Sequence, residues 1–143
     1  YNDQILRETL WNSKALSSDV TAALNPVFKS VHDVENAARL SYGLAFAKYT
    51  GSRGKVMAND ADAEFIQEIR QIFDKNDIKY QSGGFGKVDE GGGGTVAKFL
   101  AYYGIRTIDA GPALLSMHSL FEISSKADLY ETYRAYKVFF ELK

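Results

Sequence analysis

The sequence contains no cysteine, and it has no excess of charge of either sign. Without cysteine, disulfide bonds, cysteine metal ligands and cysteine nucleophiles are excluded, and the composition fits a reducing cytoplasm. The 17 basic and 18 acidic residues nearly balance, and they are not gathered into long runs of one sign. This pattern gives no reason to expect a nucleic-acid partner or binding to a membrane surface.

Long apolar stretches are also missing. The chain has no run near the roughly 18 apolar residues that a transmembrane helix requires, and its first residues do not resemble a secretion signal. With 143 residues, of which 45% are hydrophobic and 24% charged, the sequence has the balance of one globular unit with a real core. Since it starts at Tyr1 rather than at methionine and enters a helical pattern at once, we expect residues 1–143 to be part of a longer polypeptide.

Helical and strand-like patterns alternate along the chain, which predicts an α/β sandwich. Short apolar runs predict strands over 15–20, 44–50, 78–81 and 106–110, with a turn at 51–54 and a loop at 112–119. Apolar residues at helical spacing predict helices over 3–14, 32–40 and 95–103, a helix that carries Phe65, Ile69, Ile72 and Phe73, and a final helix after Ser125.

Helix starts and buried faces follow from the same spacing. Asn59 or Asp60 is expected to cap the helix that carries Phe65, and Ser125 with Asp128 is expected to cap the last helix. Two helices are expected to bury the following apolar faces: Val96, Phe99, Leu100 and Tyr103 in one, and Leu129, Tyr133, Tyr136 and Phe140 in the other.

A run of four glycines, 91–94, leads into the helix that is predicted to start at Thr95. Glycine lets the backbone adopt positive φ and approach a ligand closely. Amides at a helix start favour an anion or a developing oxyanion, so the run is a candidate ligand-binding loop. A flexible surface loop is the alternative. The segment 92–97 matches the dinucleotide fingerprint with alanine in the last place, but residues 86–90 are a poor strand to precede it, and no P-loop pattern follows.

Two further side chains are candidate metal ligands. His118 follows an apolar strand and loop, where a neutral imidazole can bind a metal, although a packing role is the alternative. Asp19 lies at a predicted strand end, where it can bind a cation or cap a turn. Asp89 and Glu90 are interpreted as solvated loop carboxylates rather than as an acid–base pair, and His32 is interpreted as a polar residue at a helix start.

Four blocks of sequence, in order, carry a family resemblance: SSDVTAALNP at 17–26, KYTGSRGK at 48–55, DEGGGGT at 89–95, and LSMHS at 115–119 followed by Glu122. Together they resemble the C-terminal part of the catalytic domain in the aminopeptidase I family of zinc peptidases, which includes the aspartyl aminopeptidases, and above all its bacterial branch. The resemblance implies a zinc-exopeptidase fold, in which helices lie on both sides of a mixed sheet as a three-layer sandwich.

The resemblance also implies a chemistry. Such enzymes use two zinc ions and a general-base Glu to release single residues from peptides with free N termini. By motif position, Asp19 matches the terminal Asp ligand of one zinc, and His118 matches the terminal His ligand of the other. Lys48 and the backbone of Gly93 and Gly94 match positions that contact the substrate. Ala22 stands where the family often has a His, which puts a preference for acidic residues in doubt.

The ligand count limits what these residues can do alone. A catalytic zinc takes about three protein ligands, and paired metals lie about 4 Å apart and share ligands. The family's other ligands and its general base have no counterpart here. We therefore predict that residues 1–143 alone neither hold two zincs nor cleave peptides. They would act with the remainder of their own polypeptide, in a large homo-oligomer like others of the family.

Two other classes of function remain open at this point. One is a non-catalytic α/β module that binds a phosphate or a nucleotide through Gly91–Thr95. The other is a scaffold or assembly domain, which would present exposed apolar surface.

Overall fold

The computed structural model describes residues 2–53, 56–84, 86–87 and 89–142. The four α-helices described are α1 (Asp3–Trp11), α2 (Ala63–Lys75), α3 (Ala97–Tyr102) and α4 (Lys126–Phe140), and a single 3-10 turn covers Lys29–Val31. The strands are β1 (Lys14–Ser17), β2 (Thr21–Ala22), β3 (Leu44–Ala47), β4 (Tyr49–Ser52), β5 (Val56–Asp60), β6 (Tyr80–Ser82), β7 (Arg106–Gly111), β8 (Ala113–Leu115) and β9 (Ile123–Ser124).

The centre of the fold is a mixed sheet of four strands in the order β1-β7-β3-β6. Strand β7 runs parallel to β1 and antiparallel to β3, while β3 runs parallel to β6. The two segments that form β1 and β7 stay paired beyond the sheet. Ser17 of β1 lies opposite Asp109 of β7, and a few residues later Thr21 of β2 lies opposite Ala113 of β8. Strand β9 then pairs with β8, and β4 pairs with β5 as a separate ribbon.

One face of the sheet packs against α2 and α4 and forms the main hydrophobic core. Ile108 and Ala110 of β7 are fully buried on this face. The other buried members of the cluster are Leu44, Phe46, Ala61, Phe65, Ile69, Phe73, Ile78 and Ala135. Burying a large apolar side chain contributes about 1.5–3 kcal/mol, so this cluster is the main source of stability in the described chain.

The opposite face of the sheet is lined by smaller and more polar side chains. Successive residues of a strand point to opposite faces, so Thr107 and Asp109 face away from α2 and α4. Asp109 contacts Thr95, just before α3, and Ala97 of α3 is fully buried. Helices therefore lie on both sides of a mixed sheet, and the predicted α/β fold is confirmed.

A buried carboxylate connects α4 to the loop before β3. Asp128 is fully buried, and its two carboxylate oxygens accept hydrogen bonds from the backbone N–H groups of Ser41 at 2.8 Å and Gly43 at 2.7 Å. Ser125 caps α4 as predicted, since its hydroxyl accepts from the N–H of Ala127. Asp128 is thus not a second cap but a link between segments more than 80 residues apart.

The helix predicted over 32–40 is wrong. Lys29–Val31 forms only a 3-10 turn, and Ala37 and Ala38 form isolated β-bridges with other segments. The carboxylate of Asp33 accepts a hydrogen bond from the N–H of Glu35 at 3.3 Å, and this local bond competes with helix formation. His32 does not start a helix either. It is buried, its Nε2 accepts from the N–H of Asn25, and burial lowers its pKa.

Several element ends also differ from the predictions. Helix α1 ends at Trp11 rather than at residue 14, and β1 ends at Ser17 rather than at residue 20. The strand predicted over 44–50 is divided at Lys48 into β3 and β4. Strand β4 includes Gly51 and Ser52, which were expected in a turn, and Gly54 lies outside the described residues. The loop predicted over 112–119 contains β8, which the sequence hides because the strand is only three residues long.

The predicted buried faces are correct for one helix and wrong for two. Helix α2 buries Phe65, Ile69 and Phe73 as expected, but its cap is Asp62, because Asn59 and Asp60 belong to β5. Helix α3 exposes three of the four residues expected inside, namely Val96, Phe99 and Tyr103, and helix α4 exposes Leu129, Tyr133 and Phe140. Both helices turn small residues, such as Ala97 and Ala135, towards the core, where these allow close packing.

Within the described ranges, no helix combines the length and apolar character needed to cross a bilayer.

Candidate metal and substrate site

Asp19 lies between β1 and β2, where the parallel strand pair β1–β7 ends and the pair β2–β8 begins. Its Oδ1 accepts a hydrogen bond from the N–H of Val20 at 2.8 Å, and its own N–H donates to the carbonyl of Ser17 at 2.8 Å. Gly111 allows this turn, since a Cβ at that position would lie 2.2 Å from the carbonyl oxygen of Asp19. The turn fixes a half-buried carboxylate at the carboxyl end of β1.

A small cavity adjoins this carboxylate. Its volume is about 10 Å³, and it is lined by Asp19, Val20, Thr21, Ala45, Ala47, Thr50, Thr95 and Asp109. A space of this size holds one water-sized group at most. The cavity therefore joins the Asp19 turn to residues from four other parts of the chain: β2, β3 with β4, the end of the glycine run, and β7.

Asp109 is the main polar group of the cavity. It is 4% exposed, and its Oδ2 accepts a hydrogen bond from the hydroxyl of Thr95 at 2.8 Å. Burial raises the pKa of the Asp109 carboxyl, and the charge of Asp19 adds to this effect. Nearby hydroxyls oppose it, of which only that of Thr95 forms a hydrogen bond of good geometry with the carboxylate. Asp109 thus lies in a low-dielectric setting that favours its neutral form.

Several buried polar atoms around Asp109 have no hydrogen-bond partner among the described residues: Ser17 Oγ, Thr21 Oγ1, Thr50 Oγ1 and Asp109 Oδ1. An unpaired buried polar group costs about 1–3 kcal/mol. Three of these atoms belong to residues that line the same cavity. The cluster is therefore suited to receive a hydrogen-bonding group, and it is not a simple packing core.

The glycine run does not open a helix as predicted. Its carbonyls pair with β4 and the residue after it, since Gly93 accepts from the N–H of Gly51 at 2.8 Å and Gly91 accepts from the N–H of Arg53 at 2.6 Å. Helix α3 begins only at Ala97 and has six residues. The predicted anion site at a helix start, on which the phosphate-binding alternative depends, is thus not formed at the glycines.

A packing reason for one of these glycines is also visible. A Cβ at Gly94 would lie 2.1 Å from the Cβ of Met57 and 3.0 Å from its carbonyl oxygen. Glycine at this position therefore permits the close approach of the run to β5.

Lys48, a predicted substrate contact, lies between β3 and β4. Its side chain is about half exposed, and its amine forms an ion pair with the carboxylate of Asp60. Its carbonyl accepts from the N–H of Ala61, which holds the backbone in place. Ala47, just before Lys48, and Thr50, two residues after it, line the Asp19 cavity. Lys48 is thus a partly exposed cation next in sequence to residues of the cavity.

His118 lies in the loop between β8 and β9 and is exposed. Its backbone has a φ of 66°, and its N–H donates to Oε1 of Glu122 at 2.5 Å, so the loop is held by its own side chains. Strands β2 and β8 are parallel, and Asp19 precedes β2 while His118 follows β8. The structure thus places the two predicted ligands beyond opposite ends of this strand pair, with no ion pair between them among the described side chains.

The described residues include no group of three or more His, Asp or Glu side chains arranged to hold a metal ion. Asp19 and His118 offer one carboxylate and one imidazole, which are ligand types that zinc accepts. Each is a single donor, so the residues present fit a partial contribution to a zinc site and do not form a complete one.

The comparisons with known proteins decide the family. A sequence model described as aminopeptidase I zinc metalloprotease (M18) matches residues 2–140. The chain belongs to this M18 family. The resemblance that the four sequence blocks predict is therefore confirmed for nearly the whole chain.

The relatives of this M18 chain are longer than it is. A probable M18 family aminopeptidase 1 of Borrelia garinii is 61% identical over 141 residues, which are 99% of this chain and 31% of the relative. The crystal structure of an M18 aminopeptidase from Thermotoga maritima is 54% identical with a TM-score of 0.91, covering 95% of this chain and 30% of that one. This M18 chain thus spans about a third of the length of the curated relatives it matches.

A more distant structure carries information on assembly. The mApe1 dodecamer of Saccharomyces cerevisiae is 25% identical, with a TM-score of 0.75, and the match covers 95% of this chain and 28% of that one.

The sequence does not reveal that Asp109 and Thr95 are in contact. A signal for Asp109 was present, because a carboxylate stands within the apolar strand 106–110, where a charged residue is seldom fully buried without a partner. Thr95 gave no such signal. Its role depends on a contact 14 residues away, which local patterns do not encode.

Proposed function

We propose that this chain is the C-terminal part of the catalytic domain of a longer M18 aminopeptidase, which releases N-terminal amino acids from peptides with free N termini. The observation that carries the proposal is the family match over residues 2–140. The structure supports it with the position of Asp19, whose carboxylate lies at the carboxyl end of β1, beside a small cavity that is also lined by Thr95, the residue after the glycine run. Ligand sites of open α/β sheets lie at such strand ends.

In this proposal Asp19 and His118 each hold one of two zinc ions, and the remaining ligands and the general base come from the rest of the polypeptide. A bound zinc polarises a carbonyl and lowers the pKa of water. Two metals about 4 Å apart, each about 2 Å from its ligand, allow at most about 8 Å between the two ligand atoms. The proposal therefore requires the loop at 116–122 to bring the imidazole of His118 within that distance of the Asp19 carboxylate.

The substrate would lie between Lys48 and the glycine run. The exposed amine of Lys48 can meet a carbonyl or carboxylate oxygen, because its present partner, Asp60, is itself exposed. The backbone of Gly93 and Gly94 presents polar groups without side chains in front of them. Ala22 offers no charge for an acidic substrate residue, so the preferred N-terminal residue need not be acidic.

The exposed apolar surface supports a role for the rest of the polypeptide. Helix α1 has no buried residue, and Trp11 at its end is 71% exposed. Tyr102, at the end of α3, is 86% exposed and lies with Trp11 along one groove. Among the described strands, β1 pairs on one side only, with β7. We propose that the remainder of the polypeptide covers this edge and this groove.

The complete protein is further proposed to form a large homo-oligomer in the cytoplasm. The dodecamer of the yeast relative supports the assembly. Exposed apolar side chains at the β8–β9 loop, among them Leu120 at 96% and Phe121 at 84%, supply surface that an assembly can bury. The cytoplasmic location rests on composition alone.

Hydrolysis of an aminoacyl anilide tests the proposal. The full-length protein should cleave it in the presence of zinc, and the H118A variant of the full-length protein should lose most of this activity. The 143-residue chain alone should be inactive. Tight binding of two zincs by the isolated chain together with cleavage would overturn the division of the site between two parts of the polypeptide. An inactive full-length protein with its zinc bound would overturn the proposed activity.

A further inference from the structure

The glycine run and the Asp19 turn meet at one buried carboxylate. Asp109 belongs to β7, whose neighbours in the sheet are β1 and β3, and in register it lies opposite Ser17 on one side and Ala47 on the other. Ser17 accepts the hydrogen bond that closes the Asp19 turn. Strand β7, which carries Asp109, therefore pairs with the residue that closes the Asp19 turn.

Thr95 connects the same carboxylate to the glycine run. Its hydroxyl donates to Oδ2 of Asp109 at 2.8 Å and accepts from the N–H of Ala97 at 3.3 Å. Thr95 is 6% exposed, so this link is shielded from water. One hydroxyl thus joins Thr95, the residue after the glycine run, to the centre of the sheet.

The cluster has features of a prepared polar site. Thr50 is 1% exposed and Asp109 is 4% exposed, and both line the cavity together with Asp19. Each of the two has a buried polar atom without a hydrogen-bond partner among the described residues. A buried carboxylate with an unpaired oxygen is costly, and stability alone would favour an apolar residue at this position. Costly groups of this kind are retained at functional sites.

Four consecutive glycines need external support to keep one conformation, because glycine loses the most backbone freedom on folding. The run has two supports. Gly51 and Arg53 bind its carbonyls on one side, and Thr95 holds its end.

We propose that Asp109 is a positioning residue, which acts through Thr95 to hold the glycine run against β4 and so fixes Gly93 and Gly94 relative to Asp19. The inference rests on the proposed function, since there the glycine run contacts the substrate. It goes further in naming the residue that sets the geometry between the metal side and the substrate side.

Threonine-to-valine variants of the full-length protein provide the test. T95V removes the hydroxyl at constant volume, T95S keeps it, and T107V is the matched control, because Thr107 is also buried and its hydroxyl binds only the nearby carbonyl of Ile105. We expect hydrogen exchange at the N–H groups of Gly51 and Arg53 to accelerate about tenfold in T95V, as the loss of one buried hydrogen bond predicts. T95S and T107V should retain the protection of the wild type.

Steady-state kinetics test whether holding the glycine run in place matters for the reaction. We expect kcat/KM to fall about tenfold or more in T95V with zinc content unchanged, and to stay within about twofold of the wild type in T95S and T107V. In D109A the same losses are expected, and the D109A/T95V double variant should be no worse than the poorer single variant, because both remove one interaction.

Normal exchange at Gly51 and Arg53 in T95V would overturn the inference, as would fully additive effects of D109A and T95V. Failure of the proposed function is a separate result: a wild-type protein without aminopeptidase activity would refute the function, while the exchange data would still decide whether Asp109 and Thr95 anchor the glycine run.

Discussion

At the scale of single residues, two buried aspartates connect segments that lie far apart in the sequence. Asp128 binds the backbone of Ser41 and Gly43, and Asp109 binds Thr95. An intramolecular hydrogen bond contributes about 0.5–1.5 kcal/mol, and a buried donor or acceptor left without its partner costs about 1–3 kcal/mol, so each contact is a substantial part of the marginal stability of a domain. Neither contact could be predicted from the sequence, because side-chain spacing reports only on neighbours within a few turns of a helix or strand.

Gly43 shows how such a contact constrains its partner. Its φ is 93°, and a Cβ at this position would lie 2.1 Å from the carbonyl oxygen of Lys79. We predict that G43A lowers the free energy of unfolding by about 3 kcal/mol or more, since it combines left-handed strain with a backbone clash. The control is G91A, because a Cβ at Gly91 meets no atom closer than 3.6 Å. Urea denaturation of both variants measures the difference, and equal stabilities would contradict this account of Gly43.

At the scale of elements, the sequence predicts which segments are regular better than it predicts how they pack. Strand 106–110 is confirmed. Helix α2 is confirmed together with its buried face, because its apolar pattern is long and periodic. The faces of α3 and α4 are wrong, because these helices carry apolar residues on more than one side and the pattern cannot say which side meets the sheet. Strand β8 was missed because it is only three residues long, and the helix predicted over 32–40 does not form, because local side-chain hydrogen bonds compete with it.

Helix α2 offers a prediction at this scale. Asp62 caps the helix, and the guanidinium of Arg106, which donates to its carboxylate at 2.6 Å, lowers the pKa of Asp62. A lowered pKa means that the contribution to stability is present above the ordinary pKa of about 4 and is lost as the pH falls through the folded-state value.

The D62N variant keeps a capping oxygen but cannot titrate. We expect it to be less stable than the wild type by about 1 kcal/mol at neutral pH, and this difference should shrink as the pH falls below about 4. Thermal unfolding followed between pH 7 and pH 2.5 measures it. A difference between the two proteins that stays constant or grows towards low pH would contradict the role of the Asp62–Arg106 pair.

At the scale of the whole molecule, the α/β fold and the family follow from the sequence, because motifs such as SSDVTAALNP and LSMHS are specific in combination. The spatial relation between the segments that carry these motifs does not follow from the sequence. Asp19 and His118 belong to motifs that the sequence identifies, yet only the fold shows that a strand pair separates them. In the proposed enzyme, the remainder of the polypeptide must complete the metal site to which Asp19 and His118 contribute.

The zinc content of the full-length protein tests this claim most directly. Elemental analysis of the wild type, of D19N and H118A, and of D33N, as a control carboxylate that does not line the cavity, would count the ions bound per polypeptide. We expect two zincs in the wild type and in D33N, and no more than one zinc in D19N or in H118A. Two zincs in every variant would contradict this expectation.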